Sequence, residues 1–148
     1  MSHSFTHLVY HIVYATKERR PCIEEAIQPE LYAILGTLVR DQGGTAFAVN
    51  GMPEHVHLLA RLPPSRALSD VVRAIKTRSS SWLSLSVTDF AWQTGYGAFT
   101  VSKSCEETVR NYIENQKQHH ADRTYLDEFR ILLKAHGYDP AEAEARME

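Results

Sequence analysis

The stretch that most constrains the fold runs through residues 51–64. A Gly51-Met52-Pro53 turn leads straight into Glu54-His55-Val56-His57-Leu58-Leu59, and Pro63-Pro64 ends the run. Turn residues on both sides of a short apolar segment mark a strand, and residues 45–50 read as the strand before the turn. Side chains on a strand alternate faces, so His55 and His57 stand side by side on one of them. Two adjacent imidazoles suit a divalent cation. The same spacing equally serves a hydrogen-bonded pair of core histidines or a solvated face, so the pair alone does not decide.

The rest of the pattern places this strand. Residues 5–16, rich in Val, Ile and Tyr, read as a long first strand ending in the charged turn Lys17-Glu18-Arg19-Arg20-Pro21. Ile27, Leu31, Ile34, Leu35, Leu38 and Val39 recur at helical spacing, and Gly43-Gly44 stops that helix. A second amphipathic helix spans about 67–85, with Leu68, Val71, Val72, Ile75 and Trp82 as its buried stripe. Arg66, Arg73, Lys76 and Ser80 lie on another of its faces. Residues 92–97 read as a loop and 98–102 as a fourth strand. Ser104-Cys105-Glu106-Glu107 spells a capping box, with Ser104 as N-cap and Glu107 reaching back. A last amphipathic helix, about 126–136, precedes a polar tail over about 137–148. The order β-α-β-β-α-β with helices appended is the ferredoxin-like arrangement of an α+β protein. It predicts one domain over 1–148, an antiparallel sheet, and the histidine strand in its interior.

Composition excludes several classes. With 43% hydrophobic and 23% charged residues over 148 positions, the chain has the make-up of a soluble globular protein. It has no run of about 18 apolar residues and no secretory leader pattern, so no membrane association is expected. Cys22 and Cys105 form no C-x-x-C motif, which leaves the cytoplasm as the expected location. The net charge of −2 argues against indiscriminate polyanion binding, but it is uneven. Residues 1–105 carry ten Lys and Arg against eight Asp and Glu, and residues 106–148 carry six against ten. Basic residues cluster at Lys17, Arg19 and Arg20 and at Arg73, Lys76 and Arg78, so a local basic groove is compatible with this balance.

A second motif answers the first. In Val109-Arg110-Asn111-Tyr112-Ile113-Glu114-Asn115-Gln116 a tyrosine and a glutamine stand four apart, on one face of the expected helix. A phenol and an amide oxygen can thus meet the two imidazoles across a cleft. Together with Tyr10-His11-Ile12-Val13-Tyr14-Ala15-Thr16-Lys17, Arg19-Arg20-Pro21, residues 52–59 and residues 92–102, these segments resemble the single-tyrosine HUH transposases of the smallest bacterial insertion sequences. The REP-associated tyrosine transposases are close relatives. The likeness spans about residues 10–120. It implies that His55, His57 and Gln116 hold Mg²⁺ or Mn²⁺, and that Tyr112 attacks a phosphodiester of single-stranded DNA. A 5′-phosphotyrosine link and a free 3′-hydroxyl would result. It further implies hairpin-forming element ends as partners, and a homodimer in which the tyrosine helix can serve either subunit.

Other residues carry weaker signals. Glu54 points to the sheet face opposite the histidines and suits a supporting or turn role. His119 and His120 follow Gln116 by about one turn, as accessory site groups or as a solvated helix end. His7 and His11 share a face of the first strand and suit structural roles. Lys103, Arg110 and Lys117 flank the tyrosine helix and could, with Lys17, Arg19, Arg20, Arg73 and Lys76, contact DNA backbone. Trp92, Tyr96 and Phe99 serve either base stacking or packing. Two other functions compete: a DNA-binding protein of the same fold without turnover, and a small metal-dependent phosphoesterase. Leu59 at the next same-face position counts against a histidine-triad hydrolase.

Overall fold

Four largely apolar segments form one antiparallel sheet: β1 (Val9–Ala15), β2 (Thr45–Met52), β3 (His55–Arg61) and β4 (Gly97–Thr100). The computed structural model describes residues 4–119 and 123–144. The strand order is β2-β3-β1-β4, as a ferredoxin-like topology requires, and β3 is an interior strand. Six helices complete the described chain: α1 (Gln28–Asp41), α2 (Leu68–Leu83), α3 (Glu106–Glu114), α4 (Gln116–His119), α5 (Tyr125–Ala135) and α6 (Pro140–Glu144). None of them is long and apolar enough to cross a membrane.

The alternation of β1 and β3 builds two layers. Ile12, Tyr14, Val56, Leu58 and Ala60 face Leu31, Leu35 and Val39 of α1 and Val71, Val72 and Ile75 of α2. On the other face, Val13 and Ala15 pack against Tyr125, Phe129 and Leu133 of α5, and Val9 and Leu59 against Ile113 of α3. With both faces covered, every residue of β3 except Arg61 is buried. His11, His55 and His57 share parity with Val9, Val13 and Leu59, so they lie beneath α3, α4 and α5.

Several boundaries differ from the sequence reading. The first strand begins at Val9, four residues late, and Phe5 is exposed. The stripe of α2 ends on Leu83 rather than Trp82, and Ser79 occupies its middle, accepting a hydrogen bond from Trp92 Nε1 at 3.0 Å. The capping box does not form. A 3-10 turn over Lys103–Cys105 encloses Ser104, whose hydroxyl meets that of Ser102 at 3.2 Å, and Cys105 becomes the N-cap without a side-chain bond. The expected tyrosine helix is interrupted at Asn115. There Asn50 Nδ2 donates to the carbonyls of Ile113 at 3.0 Å and Glu114 at 3.1 Å, taking over the end of α3. The stretch read as a polar tail contains the short helix α6.

The turn before β3 is tight. A Cβ on Gly51 would stand 2.2 Å from the carbonyl oxygen of His55 and 3.0 Å from Val56 Cα, both backbone atoms that cannot yield. Gly51→Ala should therefore cost ~2–3 kcal/mol, as overpacking in a rigid site does, and lower the melting temperature measured by circular dichroism.

Lys76 is committed to the fold. It donates to the carbonyls of Gln93 at 2.6 Å and Gly95 at 3.0 Å and lies 5.4 Å from the centre of the Tyr14 ring. Burial lowers its pKa from 10.5 to about 8. Between these values the unfolded chain binds more protons than the folded one, so this group makes stability rise with pH there. Urea unfolding of Lys76→Met across pH 7.5–10.5 should show that rise removed, relative to the parent chain.

Candidate active site

The histidine pair is held by backbone pairing on both sides. His57 stands opposite Val13 of β1 and Asn50 of β2, and His55 opposite Ala15 and Met52. Both are fully buried, so each ring nitrogen must find a partner. His55 Nδ1 pairs with Glu54 Oε1 at 2.9 Å. Glu54 lies in the turn, and its carboxylate reaches the first histidine from there. His57 Nδ1 pairs with His11 Nε2 at 2.7 Å. With both Nδ1 atoms occupied, the two Nε2 atoms face the helices.

Helices α3, α4 and α5 close over them. Gln116 Oε1 lies 3.3 Å from His55 Nε2, and Gln116 Nε2 donates to Glu128 Oε2 at 3.2 Å. The Tyr112 hydroxyl donates a short hydrogen bond to the same Glu128 oxygen. Glu128 Oε1 is 2.8 Å from His57 Nε2 and 3.4 Å from His55 Nε2. Despite the break at Asn115, Tyr112 and Gln116 thus meet the histidine pair of their own chain. Lys117 secures α4 by donating to Gly51 O at 2.7 Å and to Gln28.

Glu128 was not singled out in the sequence. Tyr125, Phe129 and Leu133 of α5 face the sheet, and Glu128 lies on that face, buried among them. Tyr125 covers the His55 ring, with centroids 4.5 Å apart. An acidic residue inside an apolar helical stripe was the signal available.

Electrostatics follow from this burial. Burial and the neighbouring His57 lower the His11 pKa to about 3 against the opposing pull of Glu128, so His11 is neutral. Burial also works against a charged His55, but hydrogen bonds and charge from Glu128 and Glu54 outweigh it and raise its pKa. The Tyr112 phenol is raised by burial first and then by Glu128, against smaller contributions from Gln116 and Arg123. His55, His57 and Glu128 each offer one donor atom, all within 4.8 Å of one another, and Gln116 Oε1 adjoins them. This donor set fits a divalent cation: imidazole nitrogens and oxygens in a buried cluster, with supporting partners on the outer nitrogens. The Tyr112 phenol lies beside it, its hydroxyl held by Glu128.

The basic residues divide. Lys17, Arg19 and Arg20 lie where β1 ends beside His55, and the backbone N–H of Thr16 donates to Glu54 O at 2.8 Å. Arg19 is exposed and its charge reaches Tyr125. The Arg20 guanidinium donates to the carbonyls of Thr88 and Asp89. Arg73 and Lys76 belong to α2, on the opposite face of the sheet from the histidines. Lys103 is exposed and pairs with Glu106 at 3.7 Å. His119 closes α4, and His120 lies outside the described residues. Arg123, absent from the sequence candidates, borders a cavity of about 580 Å³ that also touches Tyr112 and Glu128. Trp92 packs against Tyr14 and Phe90, and Phe99 stacks on His136.

Comparison with known proteins agrees with this geometry. The family model described as "Transposase IS200 like" matches residues 4–116. In sequence, the chain is similar to the ISDra2 transposase TnpA of Deinococcus radiodurans. The two are 27% identical over 117 residues, covering 74% of this chain and 84% of that protein. It is also similar to the transposase of insertion sequence element IS200 from Salmonella typhimurium, 26% identical over 124 residues, 78% of this chain and 81% of that one. In structure, it is similar to a Deinococcus radiodurans R1 protein assigned as a transposase, with TM-score 0.63 and 28% identity over 78% of this chain and 95% of the other. A REP-associated tyrosine transposase bound to a REP hairpin shares the fold at TM-score 0.59 and 19% identity, over 81% of this chain and 74% of the other. The chain belongs to the IS200-like transposase family, a family of DNA transposases.

Proposed function

We propose that this protein cuts and rejoins single-stranded DNA through a covalent 5′-phosphotyrosine link formed by Tyr112. The observation that carries the reading is the meeting of the Tyr112 hydroxyl, Gln116 and the two buried histidines around one point. A bound Mg²⁺ or Mn²⁺, held by His55 Nε2, His57 Nε2 and Gln116 Oε1, supplies charge neutralisation and polarisation of the phosphoryl oxygens.

The chain's own residues do the remaining work. With Nε2 turned to the cation, His57 carries its proton on Nδ1 and donates to His11, whose neutral ring accepts it. His55 likewise donates from Nδ1 to Glu54. These two bonds fix both rings and their tautomers. Tyr112 is a poor nucleophile while protonated, since its pKa is raised above the usual phenol value. Its hydroxyl donates to Glu128, the carboxylate placed to take the phenol proton as the oxygen attacks. The phenol oxygen bonds to phosphorus as the bond to the 3′-oxygen breaks, and that oxygen leaves as a 3′-hydroxyl after protonation by solvent. The phosphodiester energy is kept in the tyrosine link, so rejoining needs no nucleotide cofactor.

The cavity beside Tyr112 leaves room for the nucleotide flanking the attacked phosphate. Arg19 and Arg123, both exposed, the latter lining that cavity, suit its backbone charge. Hairpin-bearing element ends, as in the hairpin-bound structural relative, are the substrates to try first. A homodimer is part of the reading.

Labelled single-stranded DNA from the flanks of the gene, incubated with the protein and Mn²⁺, should give a protease-sensitive band of reduced mobility on a denaturing gel. Tyr112→Phe and His57→Ala should abolish it. An adduct that survives Tyr112→Phe would sink the assignment. DNA binding with no adduct on any flank would favour a binding protein of this fold without turnover.

A further inference from the structure

We infer that Glu128 is an anionic ligand of the same cation and, through its other oxygen, positions the Tyr112 hydroxyl beside it. The inference rests on the proposed function but adds a residue outside both the motif and the matched segment, which ends at Gln116.

Glu128 Oε1 lies 2.8 Å from one imidazole Nε2 and 3.4 Å from the other. Neighbouring ligands on a six-coordinate Mg²⁺ or Mn²⁺, bonded at about 2.1 Å, stand about 3 Å apart. Glu128 Oε1 thus stands from each imidazole at the spacing of neighbouring ligands, and all three donor atoms lie within 4.8 Å of one another. Gln116 Oε1, by contrast, approaches His55, while its amide nitrogen donates to Glu128. The second carboxylate oxygen, Oε2, accepts from both the Tyr112 hydroxyl and Gln116. One buried side chain thus touches every other member of the site. The helix that carries it is anchored independently, by Tyr125 and Phe129 against the sheet.

The chemistry of the set changes with this member. Two neutral imidazoles and an amide leave the cation its full double charge and favour borderline, nitrogen-binding metals such as Ni²⁺. A carboxylate lowers the net charge to one and favours hard ions such as Mg²⁺ and Mn²⁺. Occupancy of the site also fixes where Oε2 points, and through it the phenol. Metal binding and placement of the nucleophile are then coupled through Glu128.

The test uses the full chain, stripped of metal with a chelator, and isothermal titration with Mn²⁺ and, separately, Ni²⁺. Glu128→Gln keeps the shape and removes the charge. It should weaken Mn²⁺ binding at least about tenfold, the scale expected when a supporting metal-site group is lost, and weaken Ni²⁺ binding less. Tyr112→Phe should leave Mn²⁺ affinity within about twofold, since that residue meets only Oε2 of the carboxylate. At saturating Mn²⁺, Glu128→Gln should still form the DNA adduct more slowly than the parent chain.

Unchanged Mn²⁺ affinity in Glu128→Gln would overturn the ligand role. An unchanged adduct rate at saturating metal would overturn the positioning role. Failure of the parent chain to bind Mn²⁺ would instead overturn the metal-dependent reading on which both rest. If circular dichroism shows that Glu128→Gln does not fold, Glu128→Asp takes its place: it keeps the charge but shortens its reach, so it should weaken binding of both Mn²⁺ and Ni²⁺ and slow the adduct.

Discussion

Burying two imidazoles in the middle of a sheet covered on both faces imposes the condition from which the rest of the site follows. A buried ring nitrogen without a partner costs on the order of 1–3 kcal/mol, and His55 and His57 present four. Two are met from within the sheet layer, by Glu54 in the preceding turn and His11 on the neighbouring strand. The other two face the helices, where Glu128 and Gln116 meet them. The α3–α5 layer is therefore tied to the sheet by polar contacts at the histidines, flanked by apolar packing at Val13 with Phe129 and Leu59 with Ile113. A site assembled in this way is rigid before any ligand arrives, which is the condition for aiming a phenol.

The break in the tyrosine helix belongs to the same condition. A straight helix through residues 106–119 would carry Tyr112 and Gln116 on one stripe, but without a fixed distance from the sheet. Asn50 sits next to the Gly51 turn and opposite His57, and it takes the last carbonyls of α3. Lys117 then binds the carbonyl of Gly51 itself. The turn that positions His55 is thereby the turn that positions Gln116. Helix ends leave carbonyls without partners, and here those groups become the attachment points between helix and sheet.

The fold was legible because its signals are local and periodic. The Val, Ile and Tyr content of β1, the turn residues bounding β3 and the spacing of Leu31, Leu35 and Leu38 give element types directly, and β-α-β-β-α-β order leaves few topologies. The histidine pair and the Tyr112–Gln116 spacing were legible for the same reason, since each motif lies within one element. What was not legible required contact across elements. Glu128 is twelve residues past Gln116, and only the docking of α5 brings it to the histidines. His11 read as structural because nothing in the sequence joins it to His57; in the β1–β3 register it stands diagonally from His57, within side-chain reach. The Ser104 capping box failed because a 3-10 turn, equally compatible with those residues, competed for the same atoms. Lys76 and Lys117 looked like surface cations in sequence, and neighbouring carbonyl groups hold both.

The acidic balance of the C-terminal third bears on how a phosphate would be received. Two carboxylates, Glu54 and Glu128, border the histidine pair, and Glu128 also touches the hydroxyl proposed to attack. Around a buried site the dielectric is low, so like charges repel more strongly than in water. Without a cation the site would disfavour a phosphodiester, however well Arg19 and Arg123 drew the strand toward its rim. A divalent ion between the imidazoles and Glu128 offsets the two carboxylate charges and removes that repulsion. On the proposed reading, a protein with a pI near 6.4 needs no basic surface to engage a phosphate productively. On that reading the cation supplies the attraction at the place where chemistry occurs.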